Sequence, residues 1–149
     1  LKNGFNQVEV LLVEDNDDEA ELATRELKRH NLANDLLRVN DGEEALEFIF
    51  GTGRYEGRDI NFPPKVILLD LKMPKVSGIE VLEKVRKDER TRKIPVVVLT
   101  SSNEEKDIVD AYELGVNSYI VKPIDFQKFS NSIKEIGYYW LVLNKTVQK

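Results

Sequence analysis

Apolar residues along this chain collect in short runs, each followed by a longer stretch with helical spacing. Val8–Val13 reads Val-Glu-Val-Leu-Leu-Val, Asp35–Val39 is a second short run, and Val66–Leu69 is an unbroken Val-Ile-Leu-Leu. Ile94–Leu99 and Ser118–Val121 complete the set. Such runs are too short for comfortable helices, and their continuity suits strands covered on both faces, as in a parallel sheet. Between them the apolar positions change period. Leu22 and Leu27 lie in a segment ending near Arg29, and Ala45, Leu46, Ile49 and Phe50 share Gly42–Phe50. Ile79, Leu82 and Val85 recur along Gly78–Lys87, and Glu104–Leu114 is helical up to a stop at Gly115. A last helix from about Asp125 carries Phe126, Phe129, Ile133, Ile136 and Trp140 on one face. Five strands alternating with five helices predict a parallel sheet wound on both faces, with right-handed crossovers. Residues 51–64 break this rhythm with three glycines and two prolines, and read as a long surface loop.

Composition narrows the field without changing that picture. At 149 residues, 41% hydrophobic and 33% charged, the chain is expected to be one ordinary globular domain, 1–149, with its core over about 8–140. The net charge of −5 leaves no broad basic footprint for nucleic acid. The densest basic cluster, Arg86–Lys93, is interleaved with Asp88 and Glu89 and reads as a solvated helix end. There is no cysteine, which removes disulfides, thiol catalysis and Cys-based metal sites. No apolar run approaches the roughly 18 residues needed to span a bilayer. With no signal-peptide pattern at the N-terminus, a cytoplasmic protein without membrane contact is expected.

The candidate chemistry sits where the strands end. In an open parallel sheet all strand carboxyl ends meet at one edge, where ligands bind. Glu14 and Asp15 follow the first strand, Asp70 ends the third, Thr100 ends the fourth and Lys122 ends the fifth. Each alone has a plain structural reading: Asp70 as a cap or loop acid, Lys122 as a solvated loop lysine. Asn16 or Asp17 can cap the first helix, and Asp17, Asp18 and Glu19 suit the positive end of its dipole. Glu14 and Asp15 lie ahead of any cap and need another reason. Three acids gathered at one edge repel unless a cation neutralises them, and Mg²⁺ (or Mn²⁺) favours such oxygen ligands. With a lysine at the rim and Thr100 as a hydrogen-bond donor, the pocket suits a doubly charged phosphoryl group.

Glu14-Asp15, Asp70 with Met73-Pro74 and Gly78, Thr100, and Lys122-Pro123 resemble, in that order, the motif set of two-component response-regulator receiver domains. That resemblance implies a doubly wound, flavodoxin-like α/β fold with strand order 2-1-3-4-5. It implies that Asp70 is a phosphoacceptor, served by a sensor histidine kinase or a histidine phosphotransfer protein. Asp15, Asp70 and the backbone carbonyl of Lys72 would hold Mg²⁺, with Glu14 acting largely through water. Thr100 and Lys122 would contact the phosphoryl oxygens, Tyr119 matches the aromatic switch position, and Lys122-Pro123 matches the place of a cis peptide. Lys72 and Ser102 occupy variable positions that influence dephosphorylation in the family. The long loop and the aromatic C-terminal end (138–149) look like the stand-alone regulators that partner bacterial phytochromes.

Two other classes share parts of this pattern. A Mg²⁺-dependent aspartyl-phosphate phosphotransferase or phosphatase has a second Asp two residues after the nucleophile, but position 72 is Lys. A nucleotide-binding α/β protein has a glycine-rich phosphate loop after the first strand, where acids stand here. The expected function is therefore a non-enzymatic response regulator. Few residues follow the last helix, so no DNA-binding domain is expected. Output should pass through protein contacts, with Tyr138, Tyr139 and Trp140 as a candidate surface for a homodimer or another partner. His30, the sole histidine, sits near a helix end where a cation suits the dipole.

Overall fold

The structure, a computed structural model, describes residues 8–29, 35–122, 127 and 131. Five parallel strands form one sheet: β1 (Val10–Val13), β2 (Leu36–Val39), β3 (Val66–Leu69), β4 (Val96–Thr100) and β5 (Ser118–Val121). Their order is β2-β1-β3-β4-β5, so the chain reverses direction of travel across the sheet after β2. Four α-helices are described: α1 (Asp17–Arg29), α2 (Gly42–Phe50), α3 (Gly78–Lys87) and α4 (Glu105–Glu113). The sequence predicts five. The last falls on a stretch of which only Gln127 and Asn131 are described, both helical. His30 lies outside the described residues. No described helix is long and apolar enough to cross a membrane.

Period-2 alternation sorts the strand residues onto two cores. Leu11, Val13, Ile67, Leu69, Val96 and Val98 face one side and pack with Ala45, Phe48 and Ile49 of α2 and Val81, Leu82 and Val85 of α3. Val10, Leu12, Val66, Leu68, Val97, Leu99 and Ile120 face the other, with Ala20, Ala23 and Leu27 of α1. Every residue of β1, β3 and β4 is buried, which explains why those segments lack the apolar–polar alternation of a half-exposed strand.

Local chemistry sets the helix ends. Asn16, rather than Asp17, caps α1, its Oδ1 accepting from the Glu19 amide at 3.0 Å. Asp41 caps α2 through the Glu44 amide. Ser77 and Glu80 form a reciprocal capping box at α3. Gly115, at φ 76°, ends α4 in a left-handed turn, with the Val116 amide reaching back to the Ala111 carbonyl.

The long loop is largely exposed, as its glycines and prolines suggest, but it is anchored. It contains a 3₁₀ turn, Gly53–Tyr55, and buries three of its residues, Tyr55, Arg58 and Pro64. The Tyr55 ring meets Phe48 edge-on at 5.2 Å between centroids, and the Arg58 guanidinium lies 4.2 Å from the centre of the same ring. The Tyr55 hydroxyl donates to Glu44 Oε2 at 2.7 Å, while Glu44 Oε1 accepts from the Asn40 amide at 3.0 Å. Burial alone would raise the Glu44 carboxyl, but the bonds from Asn40 and Tyr55 outweigh it and hold the group below its usual range. A lowered folded-state pKa gives stability that is present above the unfolded value, 4.5, and lost as pH falls through the folded one. Glu44→Gln is therefore expected to cost about 2 kcal/mol at pH 7, the scale of a charge-assisted hydrogen bond. Urea unfolding should show that deficit closing as the pH is lowered beneath 4.5. A deficit independent of pH would mean that Glu44 acts by packing alone.

Candidate functional site

Backbone pairing brings the strand tips together before any side chain is considered. The Asp70 amide donates to the Val13 carbonyl at 3.1 Å, which sets the end of β3 against the end of β1. The Glu14 amide donates to the Val39 carbonyl at 3.2 Å, and the Lys122 amide to the Thr100 carbonyl at 2.7 Å. All five residues read from the sequence as strand-tip chemistry therefore meet at one edge. Carboxylate oxygens of Glu14, Asp15 and Asp70 lie within 4.8 Å of one another. Glu14 and Asp70 are buried, Asp15 is exposed and Thr100 is fully covered.

The charge balance of this pocket is uneven. Lys122 Nζ lies 2.7 Å from Glu14 Oε1 and 3.6 Å from Asp70 Oδ2, and it also bonds Glu19. One ammonium thus serves three carboxylates, while Asp15 has its charge turned to solvent. Burial pushes the Glu14 carboxyl up to about 7 despite the bond from Lys122. Burial also opposes the charge on Lys122, but its bonds to Glu14 and Glu19 outweigh that and hold the ammonium above its usual range. A pocket with excess negative charge and hard oxygen donors fits a divalent cation, because one ammonium cannot balance all of these carboxylates.

Around this core the loops are built to close tolerances. Asp70 Oδ1 accepts from the Lys72 amide at 3.1 Å, which orients the carboxylate along its own loop. Met73-Pro74 is followed by Lys75 at φ 66°, a left-handed conformation that is rare for a residue with a Cβ. Gly78 then passes so near the Asp70 carbonyl that a Cβ there would lie 2.4 Å from it. Close approach, not a left-handed backbone, is what requires glycine here.

On the far side, Thr100 Oγ1 accepts from the Ser102 amide at 3.3 Å, which leaves its hydroxyl proton to be donated elsewhere. The Tyr119 hydroxyl donates to the Ser102 carbonyl at 2.9 Å, and its ring is buried, so the aromatic side chain is inward in this structure. Ser102 Oγ donates to Asp107 on α4, and Lys72 Nζ stands 3.4 Å from the same carboxylate. The bond from Ser102 keeps Asp107 below the usual carboxylate range. A bridge from the β3 loop to α4 thus starts two residues after Asp70.

Pro123 and the aromatic residues Tyr138, Tyr139 and Trp140 lie outside the described residues. Three participants escape a reading of the sequence. Glu19 looks like an ordinary first-turn acid, Arg38, whose guanidinium donates to the Glu14 carbonyl, like an edge-strand residue, and Asp107 like a helix-start acid. No spacing rule connects them to residues up to 103 positions away.

An acid pocket with a half-buried lysine, set at the carboxyl edge of a 2-1-3-4-5 sheet, is the architecture of a signalling receiver. The chain belongs to the response regulator receiver domain family, which it matches over residues 10–134. It is 40% identical over 137 residues to the probable methanogenesis regulatory protein FilR2 of Methanothrix harundinacea, covering 92% of this chain and 86% of FilR2. Among solved structures it resembles the bacteriophytochrome response regulator RtBRR with 48% identity and a TM-score of 0.77, over 87% of this chain and 78% of that one. The Mn²⁺-bound form of Rcp1, a response regulator of Synechocystis sp., superposes with 36% identity and a TM-score of 0.74, over 89% and 93% of the two chains. Receiver domains are signalling proteins, which accords with the function read from the motifs.

Proposed function

We propose that Asp70 is the phosphoacceptor of a two-component phosphorelay. One Asp70 carboxylate oxygen attacks the phosphorus of a donor phosphohistidine. The N–P bond breaks, its electron pair stays on the imidazole, which takes up a proton, and an acyl phosphate forms on Asp70. The observation that carries this reading is the Glu14–Asp15–Asp70 carboxylate cluster with Lys122 Nζ 3.6 Å from Asp70 Oδ2.

Asp15, Asp70 and the Lys72 backbone carbonyl would hold Mg²⁺ or Mn²⁺, with Glu14 acting through water; the carboxylate cluster and the Mn²⁺-bound state of Rcp1 support a divalent cation here. When bound, the cation neutralises the carboxylates and the incoming phosphoryl oxygens, lowering the cost of bringing like charges together. Lys122 leaves its bonds to Glu14 and Glu19 to meet a phosphoryl oxygen, and the Thr100 hydroxyl donates to another. Because the Ser102 amide is bonded to Thr100 Oγ1 and the Ser102 carbonyl holds Tyr119, movement of Thr100 reaches Tyr119 through the backbone after β4. With Tyr119 already inward, output takes the form of a shift in this β4–α4 segment. A histidine kinase or phosphotransfer protein supplies the phosphoryl group, and another chain, a second copy included, reads the altered face. The reading places the chain in the cytoplasm as one receiver domain with a fifth helix.

Incubation with Mg²⁺ and a small phosphodonor such as acetyl phosphate is expected to add one phosphoryl group by intact mass. A chelator should abolish the gain. Absence of any adduct with several donors would overturn the assignment.

A further inference from the structure

Arg38 reaches from the edge strand β2 to the turn that carries the acids. Its Nε donates to the Glu14 carbonyl at 2.8 Å, and its Nη1 lies 2.8 Å from Asp17 Oδ1. The Glu14 amide is already held by the Val39 carbonyl on the same strand. The main chain of Glu14 is therefore fixed from both sides by β2, immediately before Asp15. Asp17, the first residue of α1, is tied to the same guanidinium, so both ends of the Glu14–Asp17 turn meet one planar fork.

The ion-pair half of these contacts contributes little to folding stability. The Asp17 end of the ion pair is 88% exposed, a setting in which such pairs contribute little. The remaining guanidinium nitrogen, Nη2, is buried with no hydrogen-bond partner, which disfavours the folded state. An aliphatic residue at this edge position would avoid that burden. Local violations of this kind are characteristic of functional sites.

We propose that Arg38 is a positioning residue for the divalent cation, setting the main chain of Glu14 so that the Glu14 and Asp15 carboxylates converge with Asp70. The inference rests on the metal-dependent phosphoacceptor reading above. Its sign is diagnostic. A guanidinium near three carboxylates repels an incoming cation, so removing its charge alone would tighten binding. A loss of affinity on removal can come only from lost orientation. Supporting groups that orient metal ligands typically account for roughly tenfold or more in affinity.

Divalent binding is measured by calorimetry with Mg²⁺ and by Mn²⁺ paramagnetic resonance on the full chain. Arg38→Ala is expected to weaken both by about tenfold. Asp17→Ala, which removes only the exposed contact, should change affinity by less than about twofold. Arg38→Lys keeps the charge and stem but loses the fork, and should fall between wild type and Arg38→Ala; it carries the test if circular dichroism shows the alanine variant unfolded. With acetyl phosphate, the Mg²⁺ concentration for half-maximal phosphorylation should rise in parallel, while the rate at saturating Mg²⁺ stays near wild type. Equal or tighter cation binding in Arg38→Ala, or wild-type binding in a folded Arg38→Lys, overturns the proposal. A wild-type protein that binds neither ion overturns the metal reading beneath it, a result distinct from either variant outcome.

Discussion

Asp70→Asn is expected to remove phosphoryl uptake entirely while leaving the fold intact. The substitution is nearly isosteric, and Asp70 is 95% covered, so any change of volume would be felt. An asparagine oxygen can still accept from the Lys72 amide, preserving the contact that orients this side chain. What is lost is a negatively charged oxygen able to form an acyl phosphate. Neutralising one of three clustered acids also relieves repulsion, so in the absence of Mg²⁺ the melting temperature should hold or rise. Loss of the adduct together with unchanged or greater stability separates chemistry from folding. An adduct of wild-type yield in Asp70→Asn would move the acceptor to another residue, and phosphopeptide mapping would then identify it.

The legible part of this protein is the part that topology determines. Once Val8–Val13, Val66–Leu69, Ile94–Leu99 and Ser118–Val121 are read as parallel strands, their final residues must share an edge. Glu14, Asp15, Asp70, Thr100 and Lys122 could be assembled on that ground without a coordinate, and the structure brings them together. The contacts that could not be read depend on the reach of flexible side chains between elements distant in sequence. Arg38 meets Asp17 across 21 positions, and Lys122 meets Glu19 across 103. Nothing in residue type distinguishes Glu19 from Asp18, yet only one of them contacts the lysine.

The anchoring of the loop over residues 51–64 was illegible for a different reason. Glycine and proline report that regular structure is absent, not whether the segment is loose. Tyr55 and Arg58, the residues that anchor it, carry polar tips usually associated with solvent, and burial becomes favourable only because Glu44, Phe48 and two backbone carbonyls receive them. Those partners come from α2 and from within the loop itself. A hydropathy pattern has no means of pairing them.

Gly78→Ala is expected to be among the most damaging single-methyl additions in the protein. Two effects oppose each other. Alanine favours a helical first turn over glycine by about 1 kcal/mol, and α3 begins at this position. Against that, the new Cβ would stand 2.4 Å from the Asp70 carbonyl oxygen and 2.6 Å from the Leu71 Cα. Both obstacles are backbone, so no rotamer change can make room. Either the β3 loop or the first turn of α3 has to retreat by roughly 1 Å to reach ordinary van der Waals separation. Neither moves freely: Val81, Leu82 and Val85 are sealed in the core, and the Ser77–Glu80 box fixes the helix entry. Forcing a methyl into such a site costs about 3 kcal/mol, at the upper end of the usual range. Overpacking therefore wins, leaving a net loss of about 2 kcal/mol and a fall in melting temperature of roughly 4–8 °C for a chain of this size. Because the displaced atom belongs to Asp70, phosphorylation by acetyl phosphate should slow even at temperatures where the variant is fully folded. Urea unfolding and intact-mass kinetics read the two effects separately. A variant as stable as wild type would mean that the loop yields without strain, and Gly78 would then be explained by helix entry alone.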